Sequence, residues 1–133
     1  MIGSGAEYLM VEDNLCDVEI TLFDFEEHGI GNNFHIARNG AEALDYLFTE
    51  DGSLRIKPPK VIFLDLHVPK ISGLEFLHRI KSDEQTRRIP VVVLGSSISP
   101  SELHECQRLG VDNFIGKPLE YESFVNAIEN FSL

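Results

Sequence analysis

An open parallel α/β sheet with helices on both faces is predicted for this 133-residue chain by three observations. Short apolar runs such as Val61, Ile62, Phe63 and Leu64, or Val91, Val92, Val93 and Leu94, show no two-residue alternation, the pattern of strands covered on both faces. Each such run is followed by a stretch whose apolar residues repeat every three or four positions, as on one buried face of a helix. Glycine, proline, serine and asparagine punctuate the joins. Five strands alternating with five helices give, by the rules of chain connection, a parallel doubly wound sheet.

In chain order, Tyr8, Leu9, Met10 and Val11 form a strand that ends in Glu12, Asp13 and Asn14. Asn14 is a good helix N-cap, and Leu15, Val18, Leu22 and Phe25 then mark one buried face. Gly29 stops that helix. Gly29-Ile30-Gly31 lacks a third glycine and follows a helix, so it reads as a cap and turn and not as a dinucleotide loop. Phe34, His35, Ile36 and Ala37 make a second, shorter strand nearer an edge, and Ala41, Leu44, Leu47 and Phe48 face inward on the next helix. Residues 49–60, with Asp51-Gly52 and Pro58-Pro59, are a surface connection.

The run at 60–73, KVIFLDLHVPKISG, organises the rest. Its strand delivers Asp65 at the carboxyl end, where open α/β sheets place ligands. Pro69 and Gly73 break the chain before a third helix with Leu74, Leu77 and Ile80 inward. After Ile89-Pro90 comes the strand from Val91 to Leu94, which stops at Gly95-Ser96-Ser97. Ser99-Pro100-Ser101-Glu102 opens a fourth helix, with Leu103, Cys106 and Leu109 inward and Gly110 as its stop. Residues 111–115 form the last strand, and a helix from about Glu120 carries Phe124, Val125, Ile128 and Phe131. The strands near Val61 and Val91 are expected at the centre.

The length suits a single domain over 1–133, able to bury about 65 to 70% of its unfolded surface. A formal charge of -11, with no basic run longer than Arg87-Arg88, argues against direct DNA or RNA binding. Cys16 and Cys106 fall inside predicted helices without metal-like spacing, which suggests reduced thiols. No apolar run approaches the ~20 residues of a membrane span, and residues 1–5 lack a signal-peptide pattern, so a cytoplasmic location without membrane contact is expected. The sequon Asn130-Phe131-Ser132 is then coincidence.

In a parallel sheet the residues that follow each strand gather on one rim, here Glu12, Asp13, Asp65, Gly95, Ser96 and Lys117. Carboxylates gathered there repel one another unless a cation neutralises them. Hard oxygen ligands suit Mg²⁺, and an acid cluster with a lysine opposite suits phosphoryl transfer to one carboxylate. Asp65 alone also has a plain reading as a turn or helix-capping aspartate.

Together, VEDN at 11–14, FLDLHVPKISG at 63–73, IPVVVLGSS at 89–97 and FIGKPL at 114–119 resemble the receiver domain of bacterial two-component response regulators, over essentially the whole chain. DVEITL, NGAEALDYLF and IKSDEQTRRIPVVVL look like the stand-alone receivers of phytochrome-type histidine kinases. The resemblance implies a flavodoxin-like sheet in the order 2-1-3-4-5. It implies that Asp65 accepts a phosphoryl group from a kinase histidine, and that Glu12, Asp13, Asp65 and the backbone carbonyl of His67 hold Mg²⁺. It further implies that Lys117 contacts the phosphoryl oxygens, that the Lys117-Pro118 bond is cis, and that Phe114 stands at the switch aromatic position. Core packing is the alternative role for Phe114, and a plain loop side chain for His67.

Gly95 departs from the family pattern, which places a Thr or Ser there to bond the phosphoryl group. Such a bond to a charged group is worth about 1.5 to 3 kcal/mol, so its loss is expected to weaken coupling about ten- to a hundredfold. Ser96 or Ser97 can reach in its place, or simply cap the loop. The expected function is a single-domain receiver without an output domain that signals through protein contacts, with a sensor histidine kinase and a second copy of itself as partners. Any catalysis is then confined to self-phosphorylation and slow autodephosphorylation. The dimer is expected through the last strand and helix, where Phe124, Val125, Ile128, Phe131 and Leu133 exceed one buried face. The rival readings are a phosphate-independent interaction module and, less well supported for want of a nucleophile-elbow context, a hydrolase using Ser96 or Ser97.

Overall fold

A strand that is apolar throughout must be covered on both faces, because its successive side chains point opposite ways. The computed structural model describes residues 5–95, 97–111 and 113–131. Its elements are β1 (Tyr8–Val11), α1 (Leu15–Glu27), β2 (Phe34–Ala37), α2 (Gly40–Leu47), β3 (Val61–Asp65), α3 (Gly73–Ser82), β4 (Val91–Leu94), α4 (Pro100–Arg108), β5 (Asn113–Ile115) and α5 (Tyr121–Phe131). The strands form one parallel sheet in the order β2-β1-β3-β4-β5, with β3 at its centre. This is the flavodoxin-like order implied by the resemblance. β2 is an edge strand as expected, but at 4 residues it is as long as β1 and β4.

Alternation along the strands divides the core in two. Leu9, Val11, Ile62, Leu64, Val91 and Val93 pack with Ala43, Leu47, Phe76, Leu77, Ile80 and Cys106, so α2, α3 and α4 cover that face. Met10, Val61, Phe63, Val92 and Leu94 pack with Val18, Phe25, Phe124 and Ala127 from α1 and α5. The second half is largely aromatic: the Phe25 ring centroid lies 4.7 Å from Phe34 and 5.2 Å from Phe124.

Several helix faces are rotated from the expected ones. Leu15 is 50% exposed and Thr21 is buried in α1, its hydroxyl donating to Leu119 O at 2.7 Å. Ala43 is buried in α2 and Phe76 in α3 where Leu44 and Leu74 were expected, and these two leucines are only partly buried. Leu103 is 38% exposed, which leaves Cys106 as the buried residue of α4. Leu15 and Leu103 lie near the amino ends of their helices, beside the sheet rim, where less core lies beneath them. The expected apolar surplus on α5 is not found among its described side chains; the large exposed apolar residues are Leu15, Ile20, Phe23 and Leu103. The side chain of Phe131, and Leu133 entirely, lie outside the described residues. Among the described residues no helix is long and apolar enough to cross a membrane.

The start of α3 is pressed against the end of β3. The Gly73 amide donates to Leu66 O at 3.0 Å, and a Cβ at Gly73 would stand 2.3 Å from Asp65 O and 2.5 Å from Leu66 Cα. Both obstacles are backbone and cannot swing aside. Replacing Gly73→Ala is therefore expected to cost about 1 to 3 kcal/mol despite alanine's better helix propensity. Urea unfolding would record a lower midpoint at unchanged slope, whereas an unshifted midpoint would contradict the close approach.

Candidate functional site

The β1 and β3 strands are paired with Val11 opposite Leu64, so the next residues, Glu12 and Asp65, emerge side by side at the sheet's carboxyl rim. Asp13 follows on, and carboxylate oxygens of Glu12, Asp13 and Asp65 all lie within 4.8 Å of one another. Glu12 and Asp65 are buried, at 2% and 3% exposure, and Asp13 is exposed. Lys117 reaches them from the segment after β5. Its Nζ donates to Asp65 Oδ2 at 2.9 Å and lies 3.1 Å from both Glu12 oxygens. The Lys117-Pro118 bond is cis, as the resemblance implies, and the Thr21 hydroxyl holds the next carbonyl, Leu119 O.

Local sequence sets the remaining contacts. The Asn14 amide donates to Glu12 Oε2 at 3.1 Å, while Asn14 Oδ1 caps α1 by accepting from Asp17 N at 3.0 Å. That cap brings Asp17 over the rim, with its Oδ2 3.5 Å from Lys117 Nζ. Asp17 was not expected at the site; its place three residues after the cap is the one signal for it. The His67 amide donates to Asp65 Oδ1 at 3.0 Å.

A cavity of about 270 Å³ opens beside Asp13, Asp65, His67, Gly95, Ser97 and Lys117. Six of the expected residues or neighbours thus meet as the parallel topology requires; Ser96 lies outside the described residues. Phe114 does not line this cavity and is half-buried against the core. A Cβ at Gly95 would stand 3.2 and 3.3 Å from Ile98 Cγ1 and Cδ1, a tight contact that the Ile98 side chain would have to yield to by a few tenths of an ångström. Another cavity, about 600 Å³, lies between the end of α1 and the start of α5 beside Asp24, His28 and Tyr121, and none of Glu12, Asp13 and Asp65 lines it. Among the described residues no hydrogen bond joins Ser97 to a histidine, and the ring of His67 is engaged by Glu102 at 2.9 Å; the other serine of the hydrolase reading, Ser96, lies outside the described residues.

Burial pushes the Glu12 carboxyl up to about 7, with the charge of Asp65 adding to it and the Asn14 amide and Lys117 opposing it. Burial would also raise Asp65, but the His67 amide and the Lys117 ammonium outweigh it and hold Asp65 below the usual carboxylate range. Lys117 loses some preference for its charge through burial, and Asp65 and Glu12 more than restore it, so its pKa is raised. At neutral pH Asp65 is thus an ionised, oriented carboxylate facing a cavity, beside a fixed ammonium. Hard oxygen donors from three acids fit a divalent cation, which would relieve the charge that Lys117 only partly offsets.

The Glu12 shift has a direct consequence for stability. Its carboxyl is raised from 4.5 unfolded to about 7 folded, so between these values the folded chain holds the extra proton. The Glu12 contribution to the stability of the metal-free protein should therefore fall as pH rises from about 4.5 to 7 and then level off, by on the order of 3 kcal/mol, while His35, held below its ordinary value by burial, acts oppositely in the upper part of this window. The shifts of Asp65, below its ordinary value, and of Lys117, above its own, act outside this window. Denaturation in chelator at pH 5, 6, 7 and 8 would show the slope, and Glu12→Gln should flatten it; an equal slope in both proteins would refute the assignment.

Residues 9–129 match the family model of the response regulator receiver domain. The chain is 42% identical to the bacteriophytochrome response regulator AtBRR, with a TM-score of 0.77 over 92% of this chain and 89% of that one. The bacteriophytochrome response regulator RtBRR is 40% identical, with a TM-score of 0.77 over 100% of this chain and 80% of that one. The probable methanogenesis regulatory protein FilR2 of Methanothrix harundinacea (strain 6Ac) is 37% identical over 121 residues, 91% of this chain and 77% of that protein. With the rim carboxylates and Lys117 in place on this sheet, the chain belongs to the response regulator receiver family.

Proposed function

We propose that this receiver accepts a phosphoryl group on Asp65 from a histidine of a sensor kinase and signals through protein contacts. The observation that carries the reading is the ionised Asp65 carboxylate at a cavity, with Lys117 Nζ 2.9 Å away. In the transfer an Asp65 oxygen forms a bond to phosphorus as the phosphorus–nitrogen bond of the donor phosphohistidine breaks. The bonding pair stays on the imidazole nitrogen. Lys117, already held at the rim by Asp65 and Glu12, supplies a cation beside the oxygens where the phosphoryl charge would arrive. Glu12, Asp13, Asp65 and the backbone carbonyl of His67 are the proposed ligands of Mg²⁺, which would supply further positive charge to the phosphoryl oxygens. Water later attacks the phosphorus slowly, the phosphorus–oxygen bond to Asp65 breaks, and inorganic phosphate leaves with the carboxylate restored.

A phytochrome-type kinase as partner is supported by the likeness to AtBRR and RtBRR, both bacteriophytochrome response regulators. A cytoplasmic location and the switch role of Phe114 belong to the same proposal. One observation favours a second reading, the phosphate-independent module: Gly95 offers no hydroxyl, and a Cβ there would already press on the Ile98 side chain. In that reading Asp65→Asn leaves partner binding unchanged.

Mg²⁺-dependent phosphorylation by a small phosphodonor, read by intact mass, decides between them. One added phosphoryl group on the wild type and none on Asp65→Asn supports the acceptor role. A wild type that binds Mg²⁺ yet stays unmodified favours the module. Pairing of two copies through β5 and α5 is proposed as the route of output, and light scattering should then give the mass of two chains after phosphorylation. A single-chain mass in both states would remove the pairing and leave the phosphotransfer reading intact.

A further inference from the structure

The helix α4 is held unlike its neighbours. It buries Cys106 alone, whereas α1 and α2 each bury three residues and α3 four. Two histidine–carboxylate contacts supplement that sparse packing. Glu102 Oε2 lies 2.9 Å from His67 Nε2, and Glu105 Oε2 lies 2.8 Å from His78 Nε2 on α3. Glu102 is also the second half of the capping box that starts α4: its Oε1 accepts from Ser99 N at 2.9 Å, and its own amide donates to Ser99 Oγ at 3.2 Å. A pull on Glu102 is therefore a pull on the first turn of the helix.

His67 stands at the other end of that contact, and it is two residues from Asp65. Its amide donates to Asp65 Oδ1 at 3.0 Å while its ring engages Glu102 at 2.9 Å. One residue thus touches both the rim carboxylate and the helix, across a sequence gap that Gly95, with no side chain, does not bridge from β4. We propose that His67 is a positioning residue that relays the state of Asp65 to α4. An ionised Oδ1 is a strong acceptor for the His67 amide, and it weakens when the carboxylate is esterified or replaced. The backbone at 66–68 then relaxes, the imidazole moves relative to Glu102, and the capping box of α4 loosens or tightens with it. The ring contact needs only a proton on Nε2, which the neutral imidazole can supply. The relay deepens the receiver reading and rests on it for the event that changes Asp65 in the cell.

Hydrogen exchange of the α4 amides in four unphosphorylated proteins tests the relay without any phosphoryl chemistry: wild type, Asp65→Asn, His67→Ala and the double variant. His67 is an exposed side chain, so its removal does not threaten the fold. Asp65→Asn is expected to change α4 exchange by about threefold or more with His67 present and by much less without it. His67→Gln, which keeps a side-chain donor, should restore part of the difference. A merely local role for His67 predicts changes that add, and additivity overturns the relay. A parallel arm with Mg²⁺ and beryllofluoride separates the two claims. If wild type binds the mimic at Asp65, the α4 response should shrink in His67→Ala, and an undiminished response overturns the relay. If wild type does not bind the mimic while the four-protein cycle remains non-additive, the relay is upheld and the phosphoacceptor reading fails.

Discussion

Two buried carboxylates and one ammonium set the terms for this molecule. Glu12 and Asp65 leave adjacent strands at the same height, and burial denies them the water that would screen their repulsion. Two like charges about 4 Å apart in an effective dielectric near 20 cost about 4 kcal/mol, comparable to a large part of a small domain's stability. Lys117 meets that cost from the far side of the sheet, at 2.9 Å from Asp65 and 3.1 Å from Glu12. The proton that Glu12 retains up to about pH 7 meets the remainder. A bound cation and a retained proton are thus alternative ways of offsetting one excess negative charge at this rim.

Everything that aims Lys117 is part of the same constraint. The sheet carries it to the rim, and α1 fixes the segment beyond it through the buried Thr21 hydroxyl and Leu119 O. The α1 carboxylate of Asp24 then accepts from the Tyr121 amide at 2.6 Å, so the first turn of α5 is capped by α1. The two helices share one aromatic core with Phe25 and Phe124 in contact. Packing on this face and charge at its rim are therefore tied through a single helix.

What was legible in the chain follows from how local the signal is. Continuous apolar runs announced β1, β3 and β4, and the acids at the ends of β1 and β3 needed only the parallel order to meet. The capping signals at Asn14 and Ser99 located helix starts to the residue. Helix faces were less legible, because three- and four-residue spacing does not tell which of two apolar stripes meets the sheet. Leu15 and Leu103 satisfy the spacing yet sit at helix ends near the rim, while Thr21 is buried for its hydroxyl. The His67–Glu102 pair spans 35 residues and joins two exposed side chains of ordinary type, so nothing in either segment signals the other.

That pair also bounds what the receiver can do with Gly95 in place. A hydroxyl beside β4 would contact the phosphoryl group directly in a partly enclosed site, where a bond to a charged group is worth about 1.5 to 3 kcal/mol. The His67 and Glu102 side chains are 52% and 25% exposed, and exposed pairs of this kind contribute about 0.2 to 1 kcal/mol, less at high salt. A coupling of that size shifts an equilibrium by about fivefold at most. A helix held by one buried residue and two such pairs moves easily, but its position is only biased by the state of Asp65 and not dictated by it. By reciprocity, any partner that reads only the position of α4 can distinguish the two states of Asp65 by no more than that same factor. The same light hold that lets α4 move therefore also limits how strongly one exposed contact from His67 can set its position.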